Sequence, residues 1–218
     1  MEAIPYLIFV FAVALACLAV PLWLSGAGPT RRGRSLGAST RTMLAVLSLS
    51  AAGLVGIVAR EGYSGKAYPD PVHGKSVATL GYGSTTHPDG RPVKMGDTTT
   101  PVAALQRALQ DVETFEGGLK TCVRVPLHQH EYDAFVSLAY NVGVAGFCLN
   151  NDRSGPSTLV RRLNAEDYAG ACNAILLYDR AGPVNKPSDR CSHPDNRTCR
   201  GVWRDRLKLQ AQCLGAAS

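Results

Sequence analysis

The reading of this chain turns on Arg60-Glu61-Gly62-Tyr63-Ser64-Gly65-Lys66-Ala67-Tyr68-Pro69-Asp70 and the nearby Val77-Ala78-Thr79-Leu80-Gly81-Tyr82-Gly83-Ser84-Thr85. Turn residues flank Val77–Tyr82, and a further short stretch surrounds Arg91–Lys94 after His87-Pro88-Asp89-Gly90. Such punctuation predicts a small antiparallel hairpin or three-stranded sheet. Two carboxyl groups in this region stand in contrasting surroundings. Glu61 closes an apolar run, where desolvation raises the carboxyl pKa toward the range of a neutral-pH proton donor. Asp70, between Pro69 and Pro71, falls in a polar turn that favours its ionised form.

Downstream the pattern becomes helical. Thr100-Pro101 is a cap followed by a first-turn proline, and Leu105, Leu109, Val112 and Leu119 follow at helical intervals. A second helix is predicted from His128 to about Val142, with Ala134, Phe135, Leu138 and Ala139 on its apolar side. Shorter ones are predicted at Thr158–Leu163, Tyr168–Leu177 and Val202–Leu214. Asp179 to Arg200, rich in Pro, Asp, Asn and Arg, reads as a loop. The fold class expected is α+β, mostly helical, with a small N-terminal antiparallel sheet.

Upstream lie two uncharged runs. Ile4–Leu24 has 21 residues, enough to cross a bilayer core. A cleaved signal peptide fits less well, because no Lys or Arg precedes the run. Met43–Ala59 has 17 residues, eight of them Ala, Gly or Ser, which makes it a marginal span. Its alternative is a buried helix of the domain that follows. The divisions expected are a transmembrane segment 1–25, a basic linker 26–42, a weakly hydrophobic helix 43–60 and a catalytic domain 61–218. If both runs span, Arg31, Arg32, Arg34 and Arg41 between them hold the loop in the cytoplasm and send residues after Glu61 outward.

The cysteines agree with export. Six of seven lie after residue 61, at Cys122, Cys148, Cys172, Cys191, Cys199 and Cys213. An even number without a Cys-x-x-Cys pair reads as disulfides. The connectivity stays open, although a local Cys191–Cys199 bridge would restrain a loop without a core of its own. The five histidines, His73, His87, His128, His130 and His193, have no metal-site spacing, and no cofactor is expected. The formal charge is +6, but residues 1–60 hold five Arg and one acid. The remainder is nearly balanced, which argues against a nucleic-acid partner.

Two carboxyls in unlike environments suit glycoside hydrolysis, one as acid and one as anion, yet spacing alone selects this chemistry poorly. A resemblance sharpens it. Glu-Gly, Ala-Tyr-x-Asp and Thr-Leu-Gly-Tyr-Gly-Ser-Thr resemble the active-site segment of phage endolysins of the T4-lysozyme-like muramidase family, glycoside hydrolase family 24. Leu127–Gly143 is similar to that family's central helix, Ser157–Asn164 to its next helix, and Gly201-Val202-Trp203-Arg204-Asp205-Arg206 to its Gly-Leu-x-x-Arg-Arg segment. The resemblance covers roughly residues 60–214, in order.

What it implies is a lysozyme-like domain with Glu61 as general acid, Asp70 as its carboxylate partner and Thr79 helping to hold the attacking water. The Asp-to-Thr interval is about three residues longer than in the family. Gly81, Tyr82 and Asn141 are the substrate-binding candidates. Hairpin turns, a buried tyrosine and a helix cap explain these three equally well. The bond implied is the β-1,4 link between N-acetylmuramic acid and N-acetylglucosamine in peptidoglycan, cut by a monomer to lyse the host cell. A subgroup, the signal-anchor-release endolysins, carries a Gly/Ala-rich span directly before the catalytic Glu, tethered to the inner membrane and later freed into the periplasm. Met43–Ala59 resembles that span, whereas the additional Ile4–Leu24 run departs from it. Two other readings stay open: a lytic transglycosylase using the same acid, and a non-enzymatic, holin-like membrane protein.

Overall fold

The computed structural model describes residues 40–70, 74–182 and 185–216. Among them are helices α1 (Ala51–Glu61), α2 (Pro101–Cys122), α3 (Gln129–Cys148), α4 (Thr158–Asn164), α5 (Tyr168–Ala174) and α6 (Arg200–Cys213), with strands β1 (Ser64–Asp70) and β2 (Gly74–Gly81). The Ile4–Leu24 run, Cys17 and the three arginines of residues 31–34 lie outside the described residues.

α3 is the axis. Tyr132, Ala134, Phe135, Val136, Leu138 and Ala139 are all fully buried, so this part of the helix is enclosed on every side rather than amphipathic. α2 and α6 pack on it, and α4 pairs with α5. Helical geometry breaks at Gly143 (φ +79°) before the last turns of α3. The inward face of α2 is Ala104, Ala108, Val112 and Leu119. Leu105 and Leu109, placed on the apolar side by sequence, are instead exposed, at 41% and 44%. Close approach of the hairpin explains the exchange: a Cβ at Gly81 would lie 2.8 Å from the Ala104 Cβ, too near for a leucine on that face.

The Met43–Ala59 run is not one helix. A 3-10 turn at Leu44–Val46 and extended residues lead to α1, and no helix among the described residues is long and apolar enough to cross a membrane. The segment forms part of the core, as in the buried-helix alternative, with Leu44, Leu47 and Ile57 buried. Buried acids on α2 and α3 receive its polar groups. Leu49 N–H donates to Glu116 Oε1 at 2.7 Å, Ser50 N–H to Asp133 Oδ1 at 3.0 Å, and Arg41 to Glu131 Oε1 at 2.7 Å. Thr42 exchanges backbone hydrogen bonds with Leu127. Described residues from 40 onward therefore belong to the compact unit, upstream of the boundary drawn from sequence at Glu61.

The sheet has two strands, and the stretch around Arg91–Lys94 is not a third, forming instead an isolated bridge, Thr86 with Pro92, outside the sheet. Disulfides link Cys122–Cys148, Cys172–Cys213 and Cys191–Cys199. The first ties the C-terminal ends of α2 and α3, the second ties α5 to α6, and the third closes the polar loop.

Candidate active site

α1 delivers Glu61. Ser50 caps the helix by accepting from Gly53 N–H at 3.0 Å, Ile57 pins it in the core, and Glu61 is its last residue, half-buried. Gly62 (φ +72°) then turns the chain into β1. Opposite the carboxyl stands Gly83, at φ +91°, where a Cβ would sit 3.2 Å from Glu61 Oε2. Only glycine serves there, for its backbone angle and for the space it leaves.

Burial pushes the Glu61 carboxyl above its ordinary value of 4.5, the charge of Arg60 opposes the rise, and that of Asp205 adds to it. Desolvation dominates, so the protonated form is favoured. Arg60 is itself engaged. Its Nε lies 2.9 Å from Asp205 Oδ1, and its guanidinium donates to Ser137 Oγ at 2.6 Å. Tyr140 on α3 is the neighbour that sequence reasoning missed. Burial, then the charge of Glu61, raise its hydroxyl far above the ordinary tyrosine value, so it stays a neutral donor, and it bonds the Tyr82 carbonyl at 3.1 Å. Its place directly before Asn141 on the central helix was the available signal.

The hairpin carries the other two candidates. Thr79 is buried in β2 and pairs across the strand with Tyr68. Asp70 ends β1, where its backbone pairs with Gly74. The register slips by three residues between the Pro69–Ala78 and Asp70–Gly74 pairs, so the longer Asp-to-Thr interval is taken up as a bulge in β2. The loop after β2 is fixed to α2, as Ser84 donates to Asp111 at 2.6 Å and Asp111 pairs with Arg107 at 2.9 Å.

Gly81 is buried against α2, where a Cβ would lie 2.8 Å from the Ala104 Cβ. Tyr82 has its ring 5.5 Å from that of Tyr63. Asn141 accepts from the buried Arg206 and lines a cavity of about 450 Å³ with Asn150, Asn151, Thr158, Tyr178 and Arg180. The structure thus gathers Glu61, Gly83, Tyr140 and the Arg60–Asp205 pair, with Asn141 reached through Arg206. Among the described residues no group of three or more His, Cys, Asp or Glu could hold a metal.

The family described as Phage lysozyme has a sequence model that matches residues 58–188. The chain belongs to that family. The endolysin of Salmonella phage P22 is 34% identical over 137 residues, 63% of this chain and 87% of that protein. The structure of the endolysin from Escherichia coli O157:H7 phage FAHEc1 superposes with a TM-score of 0.63 at 30% identity, covering 79% of this chain and 96% of that one. The SAR-endolysin of bacteriophage PS119 is 28% identical over 154 residues, 71% of this chain and 84% of that protein. The phage lysozyme model stops before the Cys191–Cys199 loop, so that loop lies beyond the family match.

Proposed function

We propose that Glu61, Asp70 and Thr79 are the catalytic residues of this phage lysozyme. The protein is a muramidase that acts on bacterial peptidoglycan, and the family and the relatives above carry that statement. One observation carries the assignment of the acid: a half-buried carboxyl at a helix end, facing a glycine, where desolvation raises its pKa above the ordinary value. In the mechanism that follows, Glu61 gives its proton to the glycosidic oxygen as the N-acetylmuramic acid C1–O bond breaks. The Asp70 carboxylate balances the positive charge that develops on the sugar ring; with the Thr79 hydroxyl it holds the water, and it takes that water's proton as the oxygen adds to C1.

Replacement of Glu61 by Gln keeps the shape and removes the proton, so peptidoglycan clearing should fall by about 10²–10⁴-fold with the fold unchanged by circular dichroism. Wild-type clearing by Glu61→Gln would refute the assignment. Asp70→Ala and Thr79→Ala should also be impaired, and a fully active Asp70→Ala would favour transglycosylation.

The same reading places the enzyme in the periplasm, with residues 1–42 at the inner membrane and Met43–Ala59 able to leave the bilayer. The docked segment supports it as the form taken after release, and the similarity to the PS119 SAR-endolysin supports the class. The three disulfides suit an oxidising compartment. We take the released enzyme to be a monomer.

A further inference from the structure

We infer that Asp205 is a positioning residue for the acid: by holding the Arg60 guanidinium it keeps a cation from stabilising the Glu61 carboxylate. The inference rests on Glu61 being the acid and goes beyond it. The charge of Arg60 acts on the Glu61 carboxyl and favours its anion, the more so where no carboxylate neutralises the guanidinium. Asp205 engages it twice, with Oδ1 2.9 Å from Nε and Oδ2 3.4 Å from the first terminal nitrogen, and Ser137 takes the second at 2.6 Å.

Asp205 also accepts from Arg206 at 2.6 Å. Arg206, 2% exposed, is fixed in turn by the Tyr178 carbonyl at 3.0 Å and by Asn141. One carboxylate thus stands between two guanidiniums. Without it, the Arg60 guanidinium keeps Ser137 as its partner and its charge still acts on Glu61. In the motif that Gly201–Arg206 resembles, the position of Asp205 is an arginine. This chain has the acid there and a cation beside Glu61.

The charged and titratable groups around Glu61 come from several elements. α1 supplies Arg60, α6 supplies Asp205, which also holds Arg206, and α3 supplies Tyr140. Arg107 and Asp111 on α2 act on Tyr140, and β1 ends at Asp70. Of these, Arg60 and Asp205 act on Glu61 in opposite senses and are bonded to each other, so Asp205 offsets part of the effect of Arg60 when the pair is intact.

The test is the pH dependence of peptidoglycan clearing by the full chain in detergent, with melting curves at each pH. Asp205→Asn should move the alkaline limb to lower pH. Its activity at pH 8 should drop about tenfold for every pH unit that the limb moves, and stay close to wild type near pH 5. Arg60→Gln should move the limb upward, and the double variant should bring it back. Equal loss by Asp205→Asn at every pH, or an unmoved limb, would overturn the inference. If Asp205→Asn does not fold, the direction in which Arg60→Gln moves the limb decides, and a limb that stays or falls overturns it. An active Glu61→Gln would instead remove the acid assignment itself. An inactive Glu61→Gln beside an unmoved Asp205→Asn limb would remove only the role of Asp205.

Discussion

Glu61, the proposed acid, weakens the fold that holds it. Its folded pKa is raised, so the native state keeps a proton that the unfolded chain releases. The stability it contributes is therefore full below the ordinary value of 4.5 and is lost as pH rises through the elevated folded value. Glu61→Gln removes that cost. Its melting temperature should exceed that of wild type at pH 7, and the difference should vanish below about pH 4. A Gln variant less stable than wild type at neutral pH would contradict the burial argument. Gly83→Ala probes the other side of the site. It forces a side chain to φ +91° and a methyl to 3.2 Å from the carboxylate. A stability loss on the order of 1 kcal/mol should accompany a larger fall in kcat, measured at saturating substrate. At this scale the sequence was informative because a carboxyl at the end of an apolar run is anomalous whatever surrounds it. Tyr140 had only its place beside Asn141 as a signal, and Asp205 had none, since the fold alone brings α6 to Arg60 at the end of α1.

Helices α2 and α3 and the N-terminal segment show what sequence pattern conveys about elements and what it leaves out. Period and capping located α2, which Thr100 caps and Pro101 begins, but assigned its inward face to Leu105 and Leu109. The close approach of Gly81 to Ala104 is a tertiary fact that no period encodes. Met43–Ala59 was ambiguous for a physical reason: a run with eight small residues is nearly as compatible with a core as with a bilayer. What seats it is polar and distant in sequence, at Glu116, Glu131 and Asp133. Asp133→Ala strips the acceptor from Ser50 N–H and Oγ. It should destabilise the domain by about 1–3 kcal/mol in a denaturant titration, with amide exchange quickening first in residues 47–61. Uniform exchange across the domain would argue against this docking. The disulfides act at the same scale. Cys122–Cys148 and Cys172–Cys213 close separations of 26 and 41 residues, and loss of either by paired serine substitution should cost about 2–4 kcal/mol. The same melting curves, run with and without reductant, check this.

Charge and hydropathy at the scale of the whole chain separated a basic, apolar N-terminal region from a nearly balanced catalytic unit, and four ordered motifs gave the family. They could not decide where the folded unit starts, because Leu44, Leu47 and Ile57 belong to the same core as α3. Release from the bilayer is testable at this scale. Gly53 is unsuited to the test, since a Cβ there would meet Leu49 at 2.6 Å and damage the folded form directly. Gly56 has nothing within 4 Å and Ala52 is exposed, so Ala52→Leu with Gly56→Leu adds apolar area and spares the core. Each leucine favours the bilayer by about 1–3 kcal/mol. The double variant should stay in the membrane fraction and delay lysis, yet clear peptidoglycan normally once solubilised. Lysis on the wild-type schedule would mean that Met43–Ala59 is only a core element. The central claim, hydrolysis with Glu61 as acid, is tested most directly by the chemistry of the cut ends. Purified peptidoglycan digested by the full chain should yield muropeptides ending in reducing N-acetylmuramic acid, and none above background with Glu61→Gln. Products ending in 1,6-anhydro-N-acetylmuramic acid, or reducing ends formed equally by Glu61→Gln, would contradict it.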